Sequence, residues 1–63
     1  MGRFRLCYVN KGLEDGPPYT MFLDGDDSTT LDDIWRTAHN FYDFGSVVNI
    51  LDTKLWIDKT FYK

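Results

Sequence analysis

Sixty-three residues with a net charge of −3 make one domain at most, residues 1–63, because a chain this short buries only about 60% of the surface its unfolded form exposes and cannot close a second core. Hydrophobic residues are 43% of the chain, with five Phe, four Tyr and two Trp; this excludes an intrinsically disordered segment and makes a homodimer sharing aromatic area an expectation. Cys7 is the only cysteine, so a cross-linked secreted miniprotein is excluded and a reducing, cytoplasmic home is expected, with no membrane span or signal peptide in the pattern.

Arg3 to Asn10 alternates, Phe4, Leu6 and Tyr8 against Arg3, Arg5, Cys7 and Val9, which is a strand. Asn10 to Pro18 holds two glycines and two prolines and must turn, so Tyr19 to Leu23 reads as a second strand antiparallel to the first. Asp24-Gly25-Asp26-Asp27 ends that strand, and Ser28-Thr29-Thr30 supplies hydroxyls for a helix N-cap, with Asp32 and Asp33 where the helix dipole favours negative charge.

Leu31, Ile34, Trp35, Ala38, Phe41 and Tyr42 then fall on one helical stripe, predicting a helix from about Thr30 to Asp43 that stops at Gly45. Val47 to Leu51 and Lys54 to Tyr62 are rich in β-branched and aromatic residues. Asp52-Thr53 fits either a tight turn between two strands or a bend within one long strand. The expected fold is α+β: an antiparallel sheet of three or four strands with one helix on one face, in the order β-β-α-β, with or without a final hairpin. One helix covers one face only, so either Leu55, Ile57 and Phe61 or Trp56 and Tyr62 are left for a second subunit or a partner.

Catalytic and metal chemistry find little support. Cys7 and His39 would need an orienting group and an oxyanion hole to act as nucleophile and base, and they are two ligands where structural zinc wants four. Asp24-x-Asp26-x-Ser28 opens like a calcium loop but has Thr29 where glycine belongs and Trp35 where the bidentate glutamate belongs. Gly12 to Gly16 has no helix behind it to hold a phosphate. No enzyme activity, cofactor or metal is expected.

Charge distribution carries more. From Gly12 to Trp35 stand seven acids, Glu14, Asp15, Asp24, Asp26, Asp27, Asp32 and Asp33, and no Lys or Arg. Such a window repels nucleic acid and favours basic protein surfaces, including DNA-binding clefts. In an extended segment Asp24 and Asp26 would lie about 6.6 to 6.8 Å apart on one face, comparable to successive DNA phosphates. Helix capping and solubility are the competing reading. Partner-binding candidates are therefore these seven acids, with Trp35, Tyr42, Trp56 and Tyr62 as apolar partner or dimer contacts.

Glu14-Asp15-Gly16, Leu31-x-Asp33 after a hydroxyl residue, and Lys54-Leu55-Trp56-Ile57-Asp58-Lys59 together resemble the small uracil-DNA glycosylase inhibitor family of Bacillus podoviruses, although Thr60 to Lys63 extend beyond that family's end. The resemblance implies an acidic dimer of β-β-α-β subunits that imitates DNA and blocks the glycosylase. Thr-Leu-Asp-Asp opening an aromatic-rich helix after a hairpin is also similar to a small coliphage inhibitor of host RNA polymerase. The function expected is thus a phage-encoded inhibitor of a host DNA-processing enzyme acting in the host cytoplasm, with RNA polymerase or a CRISPR or other defence effector as the alternative target. A structural or assembly subunit is the alternative of another class.

Overall fold

Phe4 and Leu6 are buried on one face of β1 (Phe4–Asn10) while Arg5 and Cys7 take the other, and the sheet is assembled around that strand. The computed structural model describes residues 2–12, 15–42 and 44–62. β2 (Tyr19–Leu23), β3 (Phe44–Asp52) and β4 (Ile57–Tyr62) complete a four-stranded sheet in the order β2-β1-β3-β4, every neighbouring pair antiparallel. β2 and β3 both oppose β1, so they run parallel with β1 between them, and α1 (Leu31–Ala38) makes the crossover. The chain order is β-β-α-β-β, and Asp52-Thr53 leads into the final hairpin.

Thr30 caps α1: its hydroxyl accepts from the Asp33 amide at 3.1 Å, and the Asp33 carboxylate accepts from the Thr30 amide at 3.0 Å. This reciprocal pair satisfies two otherwise orphan donors. Ile34 and Ala38 bury against Phe4, Leu6, Phe44, Val48, Ile50 and Phe61. Trp35 lies flat on this core, stacked on Phe61 at 5.2 Å and on Phe44 at 5.9 Å between ring centroids.

The helix is shorter than the stripe predicts. It ends at Ala38 with His39 as C-cap, and Phe41 and Tyr42 turn back by donating their amides to the Ala38 carbonyl at 2.9 and 3.1 Å. Phe41 is consequently 78% exposed, whereas Tyr42 still reaches the core. Two contacts distant in sequence override the local pattern: Phe44 is drawn into the sheet as the first residue of β3, and Gly45 lies where an added Cβ would come 2.8 Å from the Val9 carbonyl oxygen. Gly45 is therefore a buried strand residue beside the register shift between Tyr8 and Asn10, not a helix stop.

The last segment also departs from strict alternation. Leu55 and Trp56 belong to the turn at residues 53–56, and Trp56 takes a left-handed backbone with φ of 57°. Ile57 and Phe61 face the helix side; Tyr62 faces away from it.

Candidate functional site

The β2–α1 loop, the β3–β4 turn and the start of β1 meet at one end of the molecule, held by a buried ion pair. The Asp52 carboxylate accepts from Arg3 Nε at 2.9 Å and from Arg3 Nη2 at 2.7 Å, and its Oδ1 also accepts from the amides of Lys54 and Leu55. Arg3 Nη1 donates to the Asp26 carbonyl, and the Arg3 carbonyl accepts from both the amide and the hydroxyl of Thr53. One arginine thus fixes three chain segments. Hydrogen bonds from Arg3 and from the turn amides hold the Asp52 carboxyl below the usual carboxylate range despite its burial, and Asp52 in turn raises Arg3.

Asp26 organises its own loop. Its Oδ1 accepts from the Ser28 amide at 2.9 Å, the Ser28 hydroxyl at 2.7 Å and the Thr29 hydroxyl at 3.1 Å. The Ser28 hydroxyl and amide hold its carboxyl below the ordinary value, with the Thr29 hydroxyl adding to the effect. The Asp33 carboxyl is held down by the Thr30 amide and hydroxyl, and lies 3.5 Å from Arg36. An open cleft of about 510 Å³ runs beside these residues, with Leu23, Asp24, Asp26, Asp33, Ile34 and Arg36 among its walls.

The acidic window free of bases in sequence is not free of them in space. Lys54 contacts Asp27, lowering its pKa, and Lys59 Nζ lies 3.1 Å from Asp32. Both bases come from the final hairpin. Asp15 and Asp24 are exposed and enter no ion pair among the described residues; Glu14 lies outside those residues. Asp27 keeps an outward-facing carboxylate, its side chain 89% exposed even with Lys54 alongside.

The four aromatic candidates separate. Trp35 and Tyr42 are half-buried on the core, while Trp56 and Tyr62 are exposed, the first in the β3–β4 turn and the second at the far end of β4. Trp56 stands beside Leu55, which is 59% exposed, and the Lys54–Asp27 contact brings this apolar tip to the acidic loop. Leu55 and Trp56, which β-rich composition places in a strand, stand in the turn, and Arg3, Lys54 and Asp52, which carry no site pattern in the sequence, build it; the short Asp52-Thr53 turn signal is the local pointer to them.

Cys7 and His39 lie on opposite sides of the sheet. Cys7 Sγ is 3.7 Å from the Thr20 hydroxyl on the face away from α1, and His39 Nδ1 is 3.0 Å from the Trp35 carbonyl while its ring stacks on Trp35. The sheet between them rules out a nucleophile and base pair. Among the described residues, no helix is long and apolar enough to cross a membrane. No protein-family model, curated protein or solved structure matches the chain.

Proposed function

We propose that this chain is a non-enzymatic inhibitor that docks on the basic, nucleic-acid-binding cleft of a host enzyme, with uracil-DNA glycosylase as the first target to test. The observation that carries the reading is the joining, at one end of the molecule, of the exposed Asp27 carboxylate, and with it the β2–α1 loop that carries the exposed Asp24, to the exposed Leu55–Trp56 turn. Acids there complement a phosphate-binding surface, and a projecting indole fills an apolar pocket of the kind that otherwise receives a base or a wedge. The resemblance to small viral inhibitor families supports the same class of partner.

A specific observation favours a second reading. Asp26 and Asp33 are consumed by turn and cap hydrogen bonds, and Asp27 and Asp32 have lysine partners, which is what an assembly subunit with no charged docking face would show. Adding the purified protein in molar excess to a uracil-excision assay decides for the leading target: the expected result is stoichiometric loss of excision, and unchanged activity rejects the glycosylase. The same titration in a transcription assay tests RNA polymerase.

A further inference from the structure

Among the described residues the sheet has two free edges, β2 and β4, and they are not alike. β4 carries Asp58 and Lys59, charges that discourage another strand from pairing there. β2, from Tyr19 to Leu23, holds no charge, no proline and no glycine. Tyr19, Thr20 and Phe22 are exposed, and among the described residues no backbone hydrogen bond from outside the sheet reaches this strand. β1 pairs with one side of β2 only, so the backbone groups on its other side have no strand partner. Pro17-Pro18 bound this edge at one end and the acidic loop from Asp24 bounds it at the other. What lies beside the edge gives it a preference. α1 packs over β3 and β4 and leaves Met21 and Leu23 half-buried on the helix side of β2. The open cleft lies between this end of β2 and α1, with Leu23 and Ile34 supplying its apolar part and Asp24, Asp26 and Asp33 its charge. Arg36 on its wall stands 3.5 Å from Asp33, whereas Asp24 enters no ion pair among the described residues.

We propose that the open edge of β2 is a strand-addition site for an extended, basic segment of a partner protein. The segment hydrogen-bonds through its main chain to the outward groups of residues 19–23 and becomes a fifth strand of the sheet. Its side chains then alternate between the two faces, apolar ones lying beside Phe22 on one and beside Met21 and Leu23 on the other. A Lys or Arg near the Leu23 end reaches the cleft, where Asp24 has no cation of its own among the described residues. Main-chain pairing supplies the affinity and the acids supply the choice of partner. Such an edge serves an inhibitor and an assembly subunit alike, whether or not the glycosylase is a target.

The probe is a short capped peptide of alternating valine and threonine with lysines at both ends, titrated into the isotope-labelled protein and followed by amide shifts and hydrogen exchange. Shifts should concentrate in β2 and the cleft, with the outward amides of residues 19–23 exchanging about tenfold more slowly once the peptide is bound. The same peptide with glutamates for its lysines should bind about tenfold more weakly, and so should the lysine peptide to Asp24→Lys. N-methylation throughout the valine and threonine core removes the main-chain donors and keeps the charge, and it should also weaken binding about tenfold or more. That lesion sits in the peptide, so no variant has to fold for it to be read. Absence of shifts in β2 up to about 1 mM peptide overturns the proposal, as do shifts centred on β4. Equal binding of the N-methylated peptide overturns it by showing charge attraction alone, and equal binding of the lysine and glutamate peptides by removing the basic partner. β2 amides that gain protection with the concentration of the free protein would put a second copy on the edge and overturn it as well.

Discussion

Arg3 grips Asp52 with two nitrogens, at 2.9 and 2.7 Å, across 49 residues of sequence, and Asp52 is 2% exposed. Removing one member of such a pair leaves the other charge buried without its counterpart. Asp52→Asn should therefore lower the melting temperature more than any of the exposed-acid substitutions and should loosen the Thr53–Trp56 turn. Thermal unfolding followed by circular dichroism measures the first effect, and amide exchange at Lys54 and Leu55 the second.

The same pair sets a pH dependence. The folded-state pKa of Asp52 is depressed, as are those of Asp26, Asp27 and Asp33, so each contributes stability that is fully present above the unfolded carboxylate value of about 3.9. That contribution is lost as pH falls through the folded-state value. Stability should be level from neutral pH down to about pH 5 and then drop steadily in acid. Asp52→Asn, already lacking the pair, should show a shallower acid loss. Urea melts repeated along a pH series provide the slope, and an identical slope in wild type and variant would contradict this account.

Trp56 stands in left-handed backbone, at φ of 57°, while 73% exposed. A bulky side chain pays about 1 to 2 kcal/mol for that conformation, and Trp56 makes no ring contact with the core to offset it among the stacked pairs of Trp35, Phe44 and Phe61. Glycine adopts the geometry freely, though part of the gain returns as unfolded-state entropy. Trp56→Gly should thus stabilise the fold by about 1 kcal/mol, raising the melting temperature by roughly 4 to 8 °C, while inhibition of the target enzyme falls. A variant that is both less stable and equally inhibitory would show that the indole serves the fold alone.

Two of the three aromatic residues of the helical stripe, Trp35 and Phe41, look equivalent in sequence and should behave oppositely. Trp35→Ala removes the half-buried ring stacked on Phe44 and Phe61 and should cost about 2 to 3 kcal/mol, below the range for a fully buried aromatic yet a large share of the stability of a domain this small. Phe41→Ala, at a position 78% exposed, should stay within about 0.5 kcal/mol of wild type. Chemical denaturation of the two variants side by side checks the contrast.

What the sequence made legible was local. Alternation in β1, the Thr30 cap and the Leu31, Ile34, Trp35, Ala38 stripe depend on neighbours within one turn or one pleat, and the structure has each of them. The end of α1 depends instead on Phe44 entering the sheet and on Gly45 passing the Val9 carbonyl, contacts that no window of ten residues contains. The same distance effect governs the candidate site. Asp27 and Asp32 read as unpaired because Lys54 and Lys59 stand 27 residues further along, and only the β3–β4 hairpin brings those bases back over the loop and helix.

Charge reversal separates recognition from structure only if the right aspartate is chosen. Asp26 is unsuitable, because its carboxylate accepts three hydrogen bonds from Ser28 and Thr29; Asp26→Lys should collapse the loop and depress stability before any effect on a partner is read. Asp24 is exposed and outside that network. Asp24→Lys should leave the melting temperature nearly unchanged, since isolated surface substitutions move stability by about 0.5 kcal/mol or less. On a basic cleft it should slow association about tenfold at low salt, with the difference narrowing as ionic strength rises and screening shortens the reach of the charge. Stopped-flow association with the target enzyme at two salt concentrations measures both effects. Equal association rates for wild type and Asp24→Lys at low salt would mean that the acidic loop does not face the partner, and would favour the assembly-subunit reading over inhibition by charge mimicry.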